Sequence, residues 1–126
     1  MKNFEKWRKK VLTQIRGEKS KYNAKKIETE DGVFDSLKEY RRWLVLKPMA
    51  ASGEIRDLKR QVRFKLLDQQ RDKDGKLLRG LYYVADFVYF EGEEQIVEDV
   101  NGDKTEAYQI KKKLMLKILG ITIKET

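Results

Sequence analysis

Leu81–Phe90, a run of aromatics and valines, is separated from Gln95–Val100 only by the turn sequence Glu91-Gly92-Glu93-Glu94. Two β-prone segments joined this closely are expected to pair with each other as a hairpin. Each carries a carboxylate, Asp86 in the first and Asp99 in the second. A charge on a sheet face that packs against a core is costly without a partner. A third acid, Glu39, lies on an earlier helical segment, Phe34-Asp35-Ser36-Leu37-Lys38-Glu39. On a chain of net charge +8, acids placed in this way suggest a bound divalent cation. A metal site on a basic protein suggests chemistry on phosphate.

Composition narrows the chemistry further. Lys and Arg number 29 against 21 Asp and Glu. Nucleic acid is therefore the first partner to consider and an anionic membrane surface the second. The plain alternative is a basic protein with neither. The chain has no cysteine, which excludes disulfides and thiolate metal sites. It has no histidine, which excludes Ser-His-Asp and Cys-His nucleophilic systems and a histidine base. An enzyme built from this alphabet works with carboxylates, lysines and a hard, oxygen-preferring metal. No apolar run approaches the roughly 18–20 residues of a membrane span. The opening Met1-Lys2-Asn3-Phe4-Glu5-Lys6-Trp7 lacks a signal-peptide apolar region. A cytoplasmic protein without a membrane span is expected.

Along the chain, residues 1–16 read as a basic amphipathic helix with Phe4, Trp7, Val11 and Ile15 on one stripe. Residues 1–20 are thus an appended helix and connector, and 21–126 the main domain. A weak strand is expected at Lys26–Thr29. A helix capped by Asp35 or Ser36 should follow and end near Lys47, because Pro48 suggests a boundary. Ile55–Leu67 reads as a strand, Asp72-Lys73-Asp74-Gly75 as a turn, and Leu81–Phe90 with Gln95–Val100 as the hairpin. A helix from Lys104 or Thr105 to Leu119, capped by Gly120, leads into a last strand at Ile121–Ile123. The pattern fits an α/β fold, a mixed sheet flanked by helices.

Alternation of side chains along a strand puts Asp99 and Asn101 on one face and Glu98 on the other. The ordered series then resembles the PD-(D/E)XK nuclease core, and in particular a small phage and prophage family of restriction-endonuclease-like proteins. The stretches that carry the likeness are Lys21–Lys26, Phe34–Arg42, Leu58–Phe64, Tyr83–Phe87, Val97–Gly102 and Tyr108–Lys113. It covers roughly residues 21–125. No one motif is decisive; their order is the specific part. The resemblance implies a restriction-endonuclease-like fold with an extra N-terminal helix. It implies Glu39, Asp86 and Asp99 as ligands of Mg²⁺, with Mn²⁺ as the alternative, and a water attacking phosphorus in line. Position 101 should hold the catalytic lysine, and here it is Asn101. Either a lysine from elsewhere (Lys104, Lys111 or Lys112) substitutes, or Asn101 suffices at reduced rate, or the chain binds without cutting.

The function so implied is a metal-dependent DNA endonuclease in phage DNA processing, on branched or recombination intermediates, inside the bacterial host. A catalytically degenerate DNA-binding or host-interacting phage protein is the alternative. Cutting both strands would call for a homodimer. Lys25, Lys26, Arg41, Arg42, Lys104, Lys111 and Lys112 are the candidate DNA contacts. Each acid also has a purely structural reading. Glu39 sits among Lys38, Arg41 and Arg42 as a solvated helix acid would, and Asp99 can be a strand end entering a turn.

Overall fold

The computed structural model describes residues 26–100, 102 and 105–126. The expected N-terminal helix, Lys25, Asn101 and Lys104 lie outside those residues. The architecture is mixed α/β. The chain divides into two compact units, residues 1–41 and 42–126.

In the first unit, β1 (Ile27–Thr29) and β2 (Gly32–Phe34) form a hairpin in which Ile27 faces Phe34. Thr29 shapes the turn: its hydroxyl donates to Gly32 O at 2.8 Å and accepts from Asp31 N at 3.1 Å. Gly32 adopts φ 115°, which side-chain-bearing residues avoid. Phe34 is fully buried and its ring lies 5.0 Å from that of Tyr40.

Helix α1 (Leu37–Ser52) follows. It runs past Pro48 rather than ending there. A proline removes one hydrogen bond without ending the helix, which continues for one more turn to Ser52. Gly53, at φ 83°, ends the helix, and Ile55 N donates back to Met49 O.

The second unit holds a four-stranded sheet in the order β3-β6-β7-β8: Arg56–Leu67, Leu81–Glu91, Glu94–Asp99 and Lys124–Glu125. The first three are antiparallel neighbours, and β8 runs parallel to β7. Parallel neighbours need a long crossover. Helix α2 (Glu106–Leu119) supplies it, starting at Thr105, whose side chain accepts from Tyr108 N, and ending at Gly120, φ 68°. Tyr108 and Met115 of α2 pack with Leu66, Tyr83, Ala85, Val88, Val97 and Ile123. Ile121 and Ile123 pack in the core in place of pairing, so the last strand begins three residues later than the sequence suggests. A short ribbon, β4 (Gln70–Arg71) with β5 (Leu77–Leu78), interrupts the β3–β6 connection. No helix among the described residues is long and apolar enough to cross a membrane.

Gly80 closes that ribbon against β3. A Cβ added there would stand 2.8 Å from Leu67 O, a backbone atom that cannot swing away. Gly80→Ala is expected to cost about 1–3 kcal/mol, read as a lower urea midpoint at unchanged m-value. A midpoint equal to wild type would mean that β3 yields without strain.

Candidate active site

The β6–β7 ladder ends with Phe87 facing Glu98, and Asp86 and Asp99 are the residues just beyond that last pair. The Phe87–Glu98 face meets α1: Phe87 stacks on Trp43 at 6.2 Å, and Glu98 meets Arg42. Asp99 turns to the face of α2, where its Oδ2 accepts from the Tyr83 hydroxyl at 2.7 Å. Asp86 Oδ2 accepts from Val100 N at 2.8 Å, in place of a ladder bond, and its Oδ1 accepts from Gln61 Nε2 at 3.4 Å. Both acids are partly exposed.

A matched kink marks this point. Tyr83, Ala85 and Val88 all belong to the cluster under α2, whereas Phe87 stacks on α1, so the alternation of β6 shifts by one residue at Asp86. β3 does the same at Gln61: Val62, Phe64 and Leu66 join the α2 cluster, yet the Arg60 guanidinium lies 5.9 Å from the Trp43 ring. The register is the same before and after, with Arg60 facing Phe87 and Val62 facing Ala85. Both strands therefore turn together. Gln61 accomplishes this with φ 51°, a left-handed conformation that is unfavourable for a residue with a Cβ. Strain of this kind gathers at functional sites, and here it is placed beside Asp86.

The surroundings keep the tyrosines neutral. Burial raises the Tyr83 phenol well above its ordinary pKa, and its bond to Asp99 adds to the effect. Burial also raises Tyr108, helped by the charges of Asp99, Glu125 and Asp86. Both remain hydroxyl donors near neutral pH.

Glu125 is a member of this group that the sequence reading passed over. It pairs with Asp99 in the parallel ladder and accepts from Tyr108 Oη at 3.1 Å and from Lys112 Nζ at 2.6 Å. Those two hydrogen bonds hold its carboxyl below the usual range. A signal existed, since Ile121, Ile123 and Glu125 alternate. Gly102 lies against the same side chain: a Cβ there would be 2.9 Å from Glu125 Cδ. An open depression of about 270 Å³ adjoins Lys112, lined also by Gln109, Lys113, Leu116, Thr122 and Ile123.

The remaining candidates are placed as follows. Glu39 stands in the first turn of α1, buried, within the first unit. It helps cap the helix start: Glu39 N donates to Ser36 Oγ at 3.0 Å, and Glu39 Oε2 accepts from Asp35 N, one residue before the cap, at 3.3 Å. The Ser-x-x-Glu spacing was its signal. Arg42 forms a two-pronged bond to Glu98, Nε to Oε1 and Nη2 to Oε2, both 2.8 Å. Lys26 lies 4.0 Å from Asp35, Arg41 is exposed and Lys111 half-buried.

Among the described residues, no group of three or more acids is close enough to hold a metal ion. The chemistry of the donors does suit a hard cation. Mg²⁺ commonly takes one or two carboxylates and completes its shell with waters and substrate phosphates, and Asp86 and Asp99 supply two oxygen donors from facing strands. No curated protein matches the chain. No solved structure matches it. The family described as "Protein of unknown function (DUF1064)" matches residues 19–120, and the chain belongs to that family.

Proposed function

We propose that this chain is a metal-dependent DNA endonuclease with a site of the PD-(D/E)XK type, acting in phage DNA processing on branched or recombination intermediates. The observation that supports it most is that Asp86 and Asp99 lie just beyond the last pair of the β6–β7 ladder, beside the strained Gln61, on a chain of net charge +8. Asp86 and Asp99 would hold Mg²⁺, and Glu39 enters as a third ligand on the resemblance alone. The ion would polarise a phosphate oxygen and lower the pKa of a bound water. The protein's own part is orientation. Val100 N and Gln61 fix the Asp86 carboxylate, and Tyr83 fixes that of Asp99. Groups held before substrate arrives need no reorganisation during reaction. Lys112 and Lys111 extend along α2 as cations for the phosphate path. Two copies of the chain would be needed to cut both strands of a duplex.

Asn101, in the position where the resemblance expects lysine, favours a second reading: DNA binding without cleavage. Supercoiled, linear, single-stranded and four-way-junction DNA, each incubated with pure protein and Mg²⁺ or Mn²⁺, separate the two. Cleavage that chelation abolishes is the expected result. Salt-sensitive binding with no cleavage under either metal would sink the endonuclease and leave the binding protein.

A further inference from the structure

The ribbon of β4 and β5 is shaped from within. Asp72 Oδ1 accepts from Asp74 N and Lys76 N, both at 2.9 Å, and Asp72 N donates to Lys76 O at 2.9 Å. Gly75, at φ 81°, donates to Asp72 O at 3.0 Å, and Arg71 Nη1 donates to Gly75 O at 2.9 Å. A turn so fully bonded holds its arms in one geometry.

Its leucines are left partly uncovered. Leu77 is 42% exposed and Leu78 43%. Neighbouring residues of a strand point to opposite faces, so each face of the ribbon keeps open apolar surface among the described residues. The flanks are cationic: Arg71, Lys73, Lys76 and Arg79 stand against Asp72 and Asp74, and the Asp72 carboxylate is engaged in the turn. At the root of the ribbon, the Arg63 guanidinium lies 4.2 Å over the Tyr82 ring, and Val84, which faces Arg63, is 43% exposed. The basic, partly apolar character thus continues onto the outer face of β3 and β6.

We propose that the β4–β5 ribbon is a wedge for nucleic acid, with Leu77 and Leu78 against the bases of an opened or branched site and Arg71, Lys73, Lys76 and Arg79 on the flanking phosphates. The inference rests on the reading of nucleic acid as the partner. Apolar side chains flanked by cations are the means by which proteins separate stacked base steps. Charge decides against a second copy of the chain as occupant, because self-pairing of the ribbon would bring like charges together.

The test uses the full chain with chelator, so that binding alone is read. A four-way junction carrying 2-aminopurine beside its branch is compared with a linear duplex carrying the same base. Wild type should raise the fluorescence of the junction, reporting loss of stacking. Leu77→Ser with Leu78→Ser should abolish that rise and weaken junction binding about fivefold or more, with the circular dichroism spectrum unchanged. Lys73→Gln with Lys76→Gln should flatten the dependence of log affinity on log salt by about 2. Leucine variants that bind and unstack the junction as wild type does overturn the wedge alone. So does a change of oligomeric state in those variants at unaltered DNA affinity. Wild type that binds no DNA removes the underlying reading and the wedge with it.

Discussion

Arg42→Ala is expected to destabilise the second unit by about 3–5 kcal/mol, because it leaves Glu98 buried without its cation. Glu98 has no exposed side-chain surface, while Arg42 retains 24%. The carboxylate also accepts a hydrogen bond from the Tyr89 hydroxyl. Burial by itself would raise the Glu98 pKa. The hydrogen bonds from Arg42 and Tyr89, with the charges of Arg42 and Lys124, outweigh it, and the net shift is downward. A carboxyl lowered in the folded state binds its proton more readily when unfolded. Its contribution to stability is present above the ordinary carboxylate pKa and is lost as pH falls through the lowered value. Without Arg42 burial dominates and the Glu98 pKa rises, so this acid-side loss should flatten in Arg42→Ala and the gap from wild type should narrow as pH falls. Arg42→Lys keeps the charge but loses the two-pronged geometry and should fall between the two. Urea denaturation across the pH range measures all of this. A loss below about 1 kcal/mol would mean that the pair behaves as a surface salt bridge.

Arg42 also shows where sequence reading stops. Its basic neighbourhood suggested a DNA contact, and nothing local announced that its guanidinium meets an acid 56 positions away. Which helix residue faces which strand residue is set by packing between distant segments, and local composition carries no record of it. The β6–β7 hairpin was legible because its information is local: a Gly92 turn at φ 62° and two β-prone runs. The ribbon was half legible. Asp72–Gly75 announced the turn, but arms of two residues each are too short to show alternation. The helix boundary at Pro48 failed for another reason. A proline penalises one helical hydrogen bond, and the helix absorbs that loss and continues to Ser52.

The site divides along the same line. Asp86 stood out as an acid inside an apolar strand, and Asp99 as its counterpart across a short turn. Glu125 escaped because it joins Asp99 through a parallel ladder, which depends on how α2 returns the chain to the sheet. The Gln61 kink has no sequence signature at all. Glutamine is not a left-handed residue, and its φ of 51° is imposed by the two strands turning together.

Asp99→Asn and Asp86→Asn are each expected to lower DNA cleavage by about 10³-fold, as loss of one of two carboxylates holding a metal removes several kcal/mol of transition-state stabilisation. Asparagine is the informative replacement. Its carbonyl can still accept the Tyr83 hydroxyl at position 99 or the Val100 N–H at position 86, so the fold should change by no more than about 1 kcal/mol. Alanine at position 86 would instead leave the Val100 N–H unsatisfied and cost about 1–3 kcal/mol, and its inactivity would be ambiguous. Calorimetric titration with Mg²⁺ supplies a second reading. Both asparagine variants should lose heat of binding while retaining salt-dependent DNA affinity. A folded Asp99→Asn that cleaves at the wild-type rate would remove Asp99 from the site and leave its bond to Tyr83 as a structural contact. Glu39→Gln is the contrasting case. If Glu39 only caps α1, its loss lowers stability and leaves the cleavage rate per folded molecule unchanged. If it holds metal, the rate falls as it does at the two strand acids.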